Sequence, residues 1–370
     1  MAQSSTRPKP ILRGAALLFM LAASLVSGGC QGPAKTKANS EPKISPGGVL
    51  LRGAGATLPY LLYKNWFAAY QQKHPDTVIV YDAVGSGEGV RRFMNVAVSP
   101  EEQVDFGASD TAMTDEQMAR VSEGALLLPM TASSVAIAYN LPNFSGELKL
   151  SRTALSGIFN NEIKNWDDPR IARINAGVKL PKLTITLVVR QDSGGTTFAF
   201  TKHLDALSPA WRRQSGPATL VNWQGNAIRA KGNEGIAGVI QNAQGSIGYV
   251  GYEFARQLGL KMALIENKEG MFVSPSSGSA SVALASVDLP ENLRVFIPDP
   301  IGRESYPIVT LTWILAYKHY QDARKAAAIM DLFSWCLSEG QQYAPKFGYA
   351  PLPTNIASKS LAALRSMQPK

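Results

Sequence analysis

The sequence predicts an α/β fold built on open sheets, in a chain with room for roughly two domains. Short, nearly continuous Val/Ile/Leu runs alternate with segments of helical period, as expected for parallel strands buried on both faces. Helix-start signals stand between those runs. The 370 residues are 45% hydrophobic and 18% charged, a globular composition at a length that suits about two domains.

From the N-terminus, Arg7, Lys9 and Arg13 precede an apolar run from Ala15 to Val26, and Ser27-Gly28-Gly29-Cys30 follows. A basic region, a short apolar core and a small-residue cleavage site make residues 1–30 an expected secretory signal. The 12-residue run falls short of the roughly 20 residues of a spanning helix. Cys30 directly after Gly29 resembles a bacterial lipoprotein processing site and is a candidate for lipidation, although Ser27 stands where leucine is usual. Cleavage and release is the alternative. Residues 31–48, QGPAKTKANSEPKISPGG, read as a flexible linker.

The expected strands are Val49–Arg52, Thr77–Ala83, Leu126–Pro129, Val135–Tyr139, Thr184–Val189, Ser246–Gly251 and Ile308–Ala316. Pro59 suits the first turn of a helix carrying Leu62, Trp66 and Ala69/Tyr70 on one face. Thr114 with Gln117 makes a capping box for a helix to Val121. Asp168-Pro169 opens a short helix through Ala176.

In open α/β sheets, ligands lie beyond the carboxyl ends of strands, where helix N-termini expose N–H groups. Four expected strand-to-helix loops share that position: Gly53–Pro59, Gly85–Gly89, Asp105–Asp110 and Arg190–Thr197. Three are rich in glycine and hydroxyl residues, Arg190 adds a guanidinium, and Asp110 adds a carboxylate. Together they would form a pocket for a small tetrahedral oxyanion, with close backbone approach, helix dipoles and an arginine that binds two oxygens. A glycine turn ahead of a helix is the plainer explanation of each loop taken singly. Asp110 is the exception, because Thr114 already caps the helix that follows.

Other classes find little support. The net charge of +9 favours anionic ligands or surfaces. No dense Lys/Arg run carries interleaved aromatics, so no nucleic-acid partner is expected. No loop fits the dinucleotide or P-loop pattern. Cys30 and Cys336 give no expected disulfide, and three scattered histidines (His74, His203, His319) give no expected metal site or other cofactor. Asp192-Ser193-Gly194-Gly195 looks like a chymotrypsin-type nucleophile loop. The histidine base and orienting acid it needs are not placed for it, and Gly-x-Ser-x-Gly is missing. No catalytic residue is expected, and the protein is not read as an enzyme.

The stretches GAGATLPYLLYKNW, VDFGASD, IKNWDDPRIARINAGVKLP, VVRQDSGGTTFAF and GNEGIAGVIQNAQGSIGYV stand in order between Leu50 and Pro353. Through them the chain closely resembles the phosphate-binding protein (PstS) family of bacterial phosphate ABC transporters. The resemblance implies a two-lobed periplasmic-binding-protein-like fold (type II), with two open mixed sheets flanked by helices and a double-crossing hinge. Lobe I would be 49–130 plus 307–370, and lobe II 131–306. It implies an extracytoplasmic solute-binding protein that captures inorganic phosphate between the lobes and delivers it to a phosphate-import ABC transporter. The membrane permease and ATPase subunits would be its partners. The protein would be a monomer in the periplasm or at the cell surface of a bacterium, lipid-anchored if Cys30 is modified.

The family's anion contacts carry over onto the Thr57 hydroxyl, the Leu58 N–H, Ser86, Asp110, Arg190, the Gly195 N–H and Thr196, with Asp192 orienting the arginine. Gly194 stands at a further contact position, where the family commonly has serine; Ser193 would replace that hydroxyl only through a rearranged loop. Phosphate at neutral pH keeps a proton and sulfate does not. An ionised Asp110, which only accepts hydrogen bonds, would therefore welcome one and repel the other. A sulfate or molybdate module would lack that carboxylate, and a sensory or adhesive use of the same lobes is the remaining alternative.

Overall fold

The computed structural model describes residues 44–369. The expected signal over 1–30, the candidate lipidation site Cys30 and the linker up to residue 43 lie outside the described residues. Nine strands form one continuous mixed sheet: β1 (Val49–Gly55), β2 (Thr77–Ala83), β3 (Phe106–Ser109), β4 (Ala125–Asn140), β5 (Thr186–Arg190), β6 (Ala227–Ala230), β7 (Ser246–Gly251), β8 (Lys261–Met262) and β9 (Val309–Tyr317). Neighbours follow the order β2-β1-β3-β9-β4-β7-β5-β6, with β8 beside β4.

β1 runs parallel to β2 and β3, and β5 runs parallel to β6 and β7. Between these groups lie β4 and β9, antiparallel to one another. Residues 125–134 of β4 pair with β9, whereas Val135–Asn140 pair with β7. One strand thus serves both halves. At the changeover Val135 N donates to Ile308 O at 2.8 Å, so the segment entering β9 crosses beside it. The protein is two-lobed, with open mixed sheets joined by a hinge crossed twice.

Leu126–Pro129 and Val135–Tyr139, expected as two strands, are one. Pro129 lacks an N–H and reads as a terminator. The sheet accommodates it with a register shift between Thr312 and Trp313, which leaves Met130 as the extra residue of a bulge. β3 and β6 were not expected. Phe-Gly-Ala-Ser and Ala-Ile-Arg-Ala are four-residue strands without an aliphatic run, and β6 is an edge strand with Ile228 and Arg229 exposed.

Helix α1 (Tyr60–Lys73) buries Leu62, Tyr63, Trp66, Phe67 and Tyr70, a stripe set by the 3.6-residue repeat. Each such apolar side chain contributes about 1.5–3 kcal/mol of burial. Trp66 Nε1 finds its partner in Gly340 O at 2.6 Å. The Thr114 capping box forms in both directions, and its helix is Asp115–Ala119. Asp168 caps Pro169–Ala172, which tightens into a 3-10 turn over Arg173–Asn175. Cys336 is a buried free thiol. Among the described residues no helix is long and apolar enough to cross a membrane.

Candidate functional site

The carboxyl ends of the two parallel groups face each other at the hinge, and helices begin there from both sides. Helix α2 (Ser86–Phe93) follows β2, α3 (Gly195–Leu207) follows β5, and α4 (Gly232–Asn242) follows β6. Their first turns are fastened across the cleft. Gly87 N donates to Ser193 O at 3.1 Å, Gly195 N to Ser86 Oγ at 3.2 Å, and Asn233 Nδ2 to Thr57 Oγ1 at 2.9 Å. Gly85 makes this approach possible. It holds φ +105°, and a Cβ there would stand 2.7 Å from Asp192 Oδ2.

Asp110, just past β3, is 1% exposed. Its backbone N–H donates to Ser86 Oγ at 3.1 Å, Thr312 Oγ1 donates to its Oδ1 at 2.6 Å, and Thr310 Oγ1 donates to its carbonyl at 3.2 Å. Burial pushes its carboxyl up to about 6, while the Thr312 hydrogen bond, the Arg190 charge and Ser86 hold it down. Asp105, read with Asp110 as a single loop, lies at the opposite end of β3 and pairs with Lys325. A cavity of about 510 Å³ at that far end is lined by Arg92, Asp105, Tyr317 and Lys325. Its Lys325–Asp105 and Arg92–Asp82 pairs satisfy one another, away from the site.

Arg190 ends β5, also 1% exposed. Its Nε donates to Asp192 Oδ1 at 2.7 Å and its Nη2 to Asp192 Oδ2, so one edge of the guanidinium is locked. Burial raises the Asp192 carboxyl, but the Arg190 hydrogen bonds and charge, joined by the Gly232 N–H at 3.0 Å, outweigh it and hold it below its ordinary value. Arg190 Nη1 is buried with no hydrogen-bond partner among the described residues.

Gly194 presses against that guanidinium. A Cβ would lie 2.7 Å from Nη2 and 2.8 Å from Cζ. Gly194 was expected as a further anion contact, and its N–H donates to Thr219 O at 2.9 Å. Its contribution is therefore space for the arginine rather than a donor. Ser193 does not supply the missing hydroxyl: its Oγ donates to Thr219 Oγ1 at 2.9 Å. The loop that looked like a nucleophile's turn is a brace.

Thr57, Leu58 and Thr196 are all buried. Leu58 O accepts from Tyr349 Oη at 2.7 Å. Asn233 links the two threonines, its Nδ2 reaching Thr196 Oγ1 at 3.2 Å as well as Thr57. Asn233 and Thr312 were missed by sequence reasoning. The signal for Asn233 was a fifth strand-to-helix loop, Lys231-Gly232-Asn233, hidden because β6 itself went unread. Thr312 carries no local signal.

The arrangement gathers a locked cation, three hydroxyls, helix N-termini and one carboxylate acceptor in a water-poor cleft. Such a set suits a small oxyanion that carries a proton. A cleft between two hinged lobes with convergent polar groups defines a bilobal solute-binding protein. Residues 31–339 match the family model described as PBP superfamily domain. The chain is 35% identical over 312 residues to the phosphate-binding protein PstS of Pasteurella multocida, covering 84% of this chain and 88% of that one. It is 32% identical over 367 residues to the phosphate-binding protein PstS of Methanocaldococcus jannaschii, covering 92% and 91%. Its fold is similar to that of a high affinity periplasmic phosphate-binding protein (PfluDING) solved with phosphate bound, at TM-score 0.68 and 22% identity, covering 85% and 93%. The chain belongs to the phosphate-binding protein (PstS) family.

Proposed function

We propose that this protein captures inorganic phosphate between its lobes outside the cytoplasm and delivers it to a phosphate-import ABC transporter. The observation that carries the reading is Arg190 Nη1, a buried cationic donor with no hydrogen-bond partner among the described residues, held beside the buried acceptor Asp110. An unpaired buried N–H on a charged group is costly, and an anion oxygen satisfies it. Phosphate would lie among Arg190, the hydroxyls of Thr57, Ser86 and Thr196, and the N–H groups of Leu58 and Gly195. Its remaining proton would point at Asp110. Above about pH 6 that carboxylate is ionised and accepts a hydrogen bond from the P–OH. Sulfate has none to offer and meets repulsion.

In this reading the moving bodies are lobe I, 49–130 plus 307–370, and lobe II, 131–306. The protein acts as a monomer in the periplasm or at the cell surface, with the permease and ATPase subunits as partners and no catalytic step. Micromolar capture of so small a ligand requires about −8 kcal/mol, which calls for a closed, pre-organised site. Calorimetric titration of the purified protein with phosphate, sulfate and molybdate tests this. Saturable heat is expected with phosphate and none with sulfate; the absence of phosphate binding overturns the reading.

A further inference from the structure

Asn233 is fully buried at the start of α4 and touches both sides of the cleft. Its Nδ2 donates to Thr57 Oγ1 at 2.9 Å and to Thr196 Oγ1 at 3.2 Å, while its backbone N–H donates to Thr57 Oγ1 at 3.3 Å. Its Oδ1 accepts from Gly251 N at 2.9 Å. That last bond fixes which end of the amide faces the threonines, because a flipped amide would set its NH2 against the Gly251 N–H.

A hydroxyl has one hydrogen and two lone pairs. Thr57 Oγ1 receives two N–H donors and Thr196 Oγ1 receives one, and the amide offers neither of them an acceptor. Each threonine therefore has its own hydrogen unspent on Asn233, and Thr57 has no lone pair left while Thr196 has one. Ser86 also fills both lone pairs, accepting from Asp110 N and Gly195 N, but its own hydrogen turns to Asp110 Oδ2 at 3.5 Å.

Building on the phosphate reading, we infer that Asn233 is a positioning residue that makes Thr57 an obligate donor, biases Thr196 towards donating, and so steers where the bound anion carries its proton. An oxygen facing Thr57 must be unprotonated and one facing Thr196 is favoured so, which steers a single proton to the oxygen facing Asp110. A doubly protonated phosphate has a second hydrogen, for which Thr57 offers no acceptor and Thr196 at most one lone pair. Thr57 follows β1 and Asn233 follows β6, so the polarity is set only when the lobes meet.

The test is calorimetric phosphate binding by the full chain and by Asn233→Ala from about pH 5.5 to 8, with melting temperature recorded alongside. Without the amide, the threonine hydroxyls are free to rotate and accept a P–OH. The variant is expected to bind about tenfold more weakly at pH 8. Its deficit should shrink to about threefold or less near pH 5.5, where doubly protonated phosphate dominates. Asp110, Asp192, Glu253, Arg190, Lys231 and Glu234 surround the position in both proteins, so the ratio of affinities sets their shared titration aside. A merely structural role for Asn233 would give a ratio constant with pH, and that result overturns the inference. A second variant, Asn233→Asp, replaces the donor by a pure acceptor and draws both threonine hydrogens away. It should lose more than Asn233→Ala at pH 8, by about 100-fold or more relative to wild type. Binding within about threefold of wild type would equally overturn the inference. Wild-type protein that binds no phosphate would remove the functional reading itself, a separate outcome.

Discussion

Thr312 donates to Asp110 Oδ1 at 2.6 Å from β9, the strand that follows the second hinge crossing. Burial alone drives the Asp110 carboxyl upward, and this hydroxyl is the strongest of the influences that restrain it near about 6. Thr312→Val removes the restraint, so Asp110 should stay protonated to higher pH and, as a neutral acid, donate to sulfate. The pH at which sulfate begins to compete with phosphate should move up by about one unit. Competition titrations at several pH values measure it, and an unmoved midpoint would show that Thr312 does not govern the acceptor.

Arg190 holds Asp192 through Nε and Nη2 and keeps Nη1 for the cleft. A lysine has no planar fork with which to do both. Arg190→Lys is expected to weaken phosphate binding at least tenfold, on the order of 1.4 kcal/mol or more. An unchanged isotherm would remove Arg190 from the site.

Gly194 leaves room for that same guanidinium. Gly194→Ala places a methyl group 2.7–3.0 Å from Nη2, Cζ and Nη1, all on a side chain that Asp192 prevents from withdrawing. Phosphate affinity should fall by about tenfold, with a smaller change in melting temperature. Wild-type affinity in this variant would mean that the loop yields without disturbing the clamp.

Glu253 lies buried against the hinge. Ser133 Oγ donates to its Oε2 at 2.6 Å, and its Oε1 has no hydrogen-bond partner among the described residues. Burial pushes its carboxyl to about 8, opposed by Ser133 and aided by the charge of Asp110. The folded protein therefore holds this proton more tightly than the unfolded chain. The stabilisation is complete below the ordinary carboxylate value and is lost as pH rises through about 8. Glu253→Gln should melt like wild type near pH 4.5 and at least about 2 °C higher near pH 8.5. Parallel melting curves across that range decide it, and identical slopes would refute a protonated Glu253.

Much of the site was legible because its chemistry is local. Arg190, Asp192, Ser86 and Thr57 sit in loops whose glycines and hydroxyls announce a strand turning into a helix. Asn233 sits in such a loop too, but the strand before it is a short, exposed edge strand with no aliphatic run. Thr312 was out of reach for a different reason. Its hydroxyl meets Asp110 because β9 lies beside β3, with Trp313 opposite Ser109, and that pairing spans some two hundred residues. Gly194 shows the same limit from the other side. Its position invited a donor role, whereas its N–H is taken by Thr219 from a later segment. Pro129 hid a continuous strand because only the tertiary register could supply a bulge to absorb it.

The passage of β4 through both lobes without leaving the sheet has a mechanical consequence. Two hydrogen-bonded backbones, tied where Val135 N meets Ile308 O, form the joint. Such a joint behaves as a torsion spring rather than a slack tether. Paired strands of this kind confine any swing of the halves to twisting and bending of the strands themselves, so the loops at their carboxyl ends stay aligned with one another.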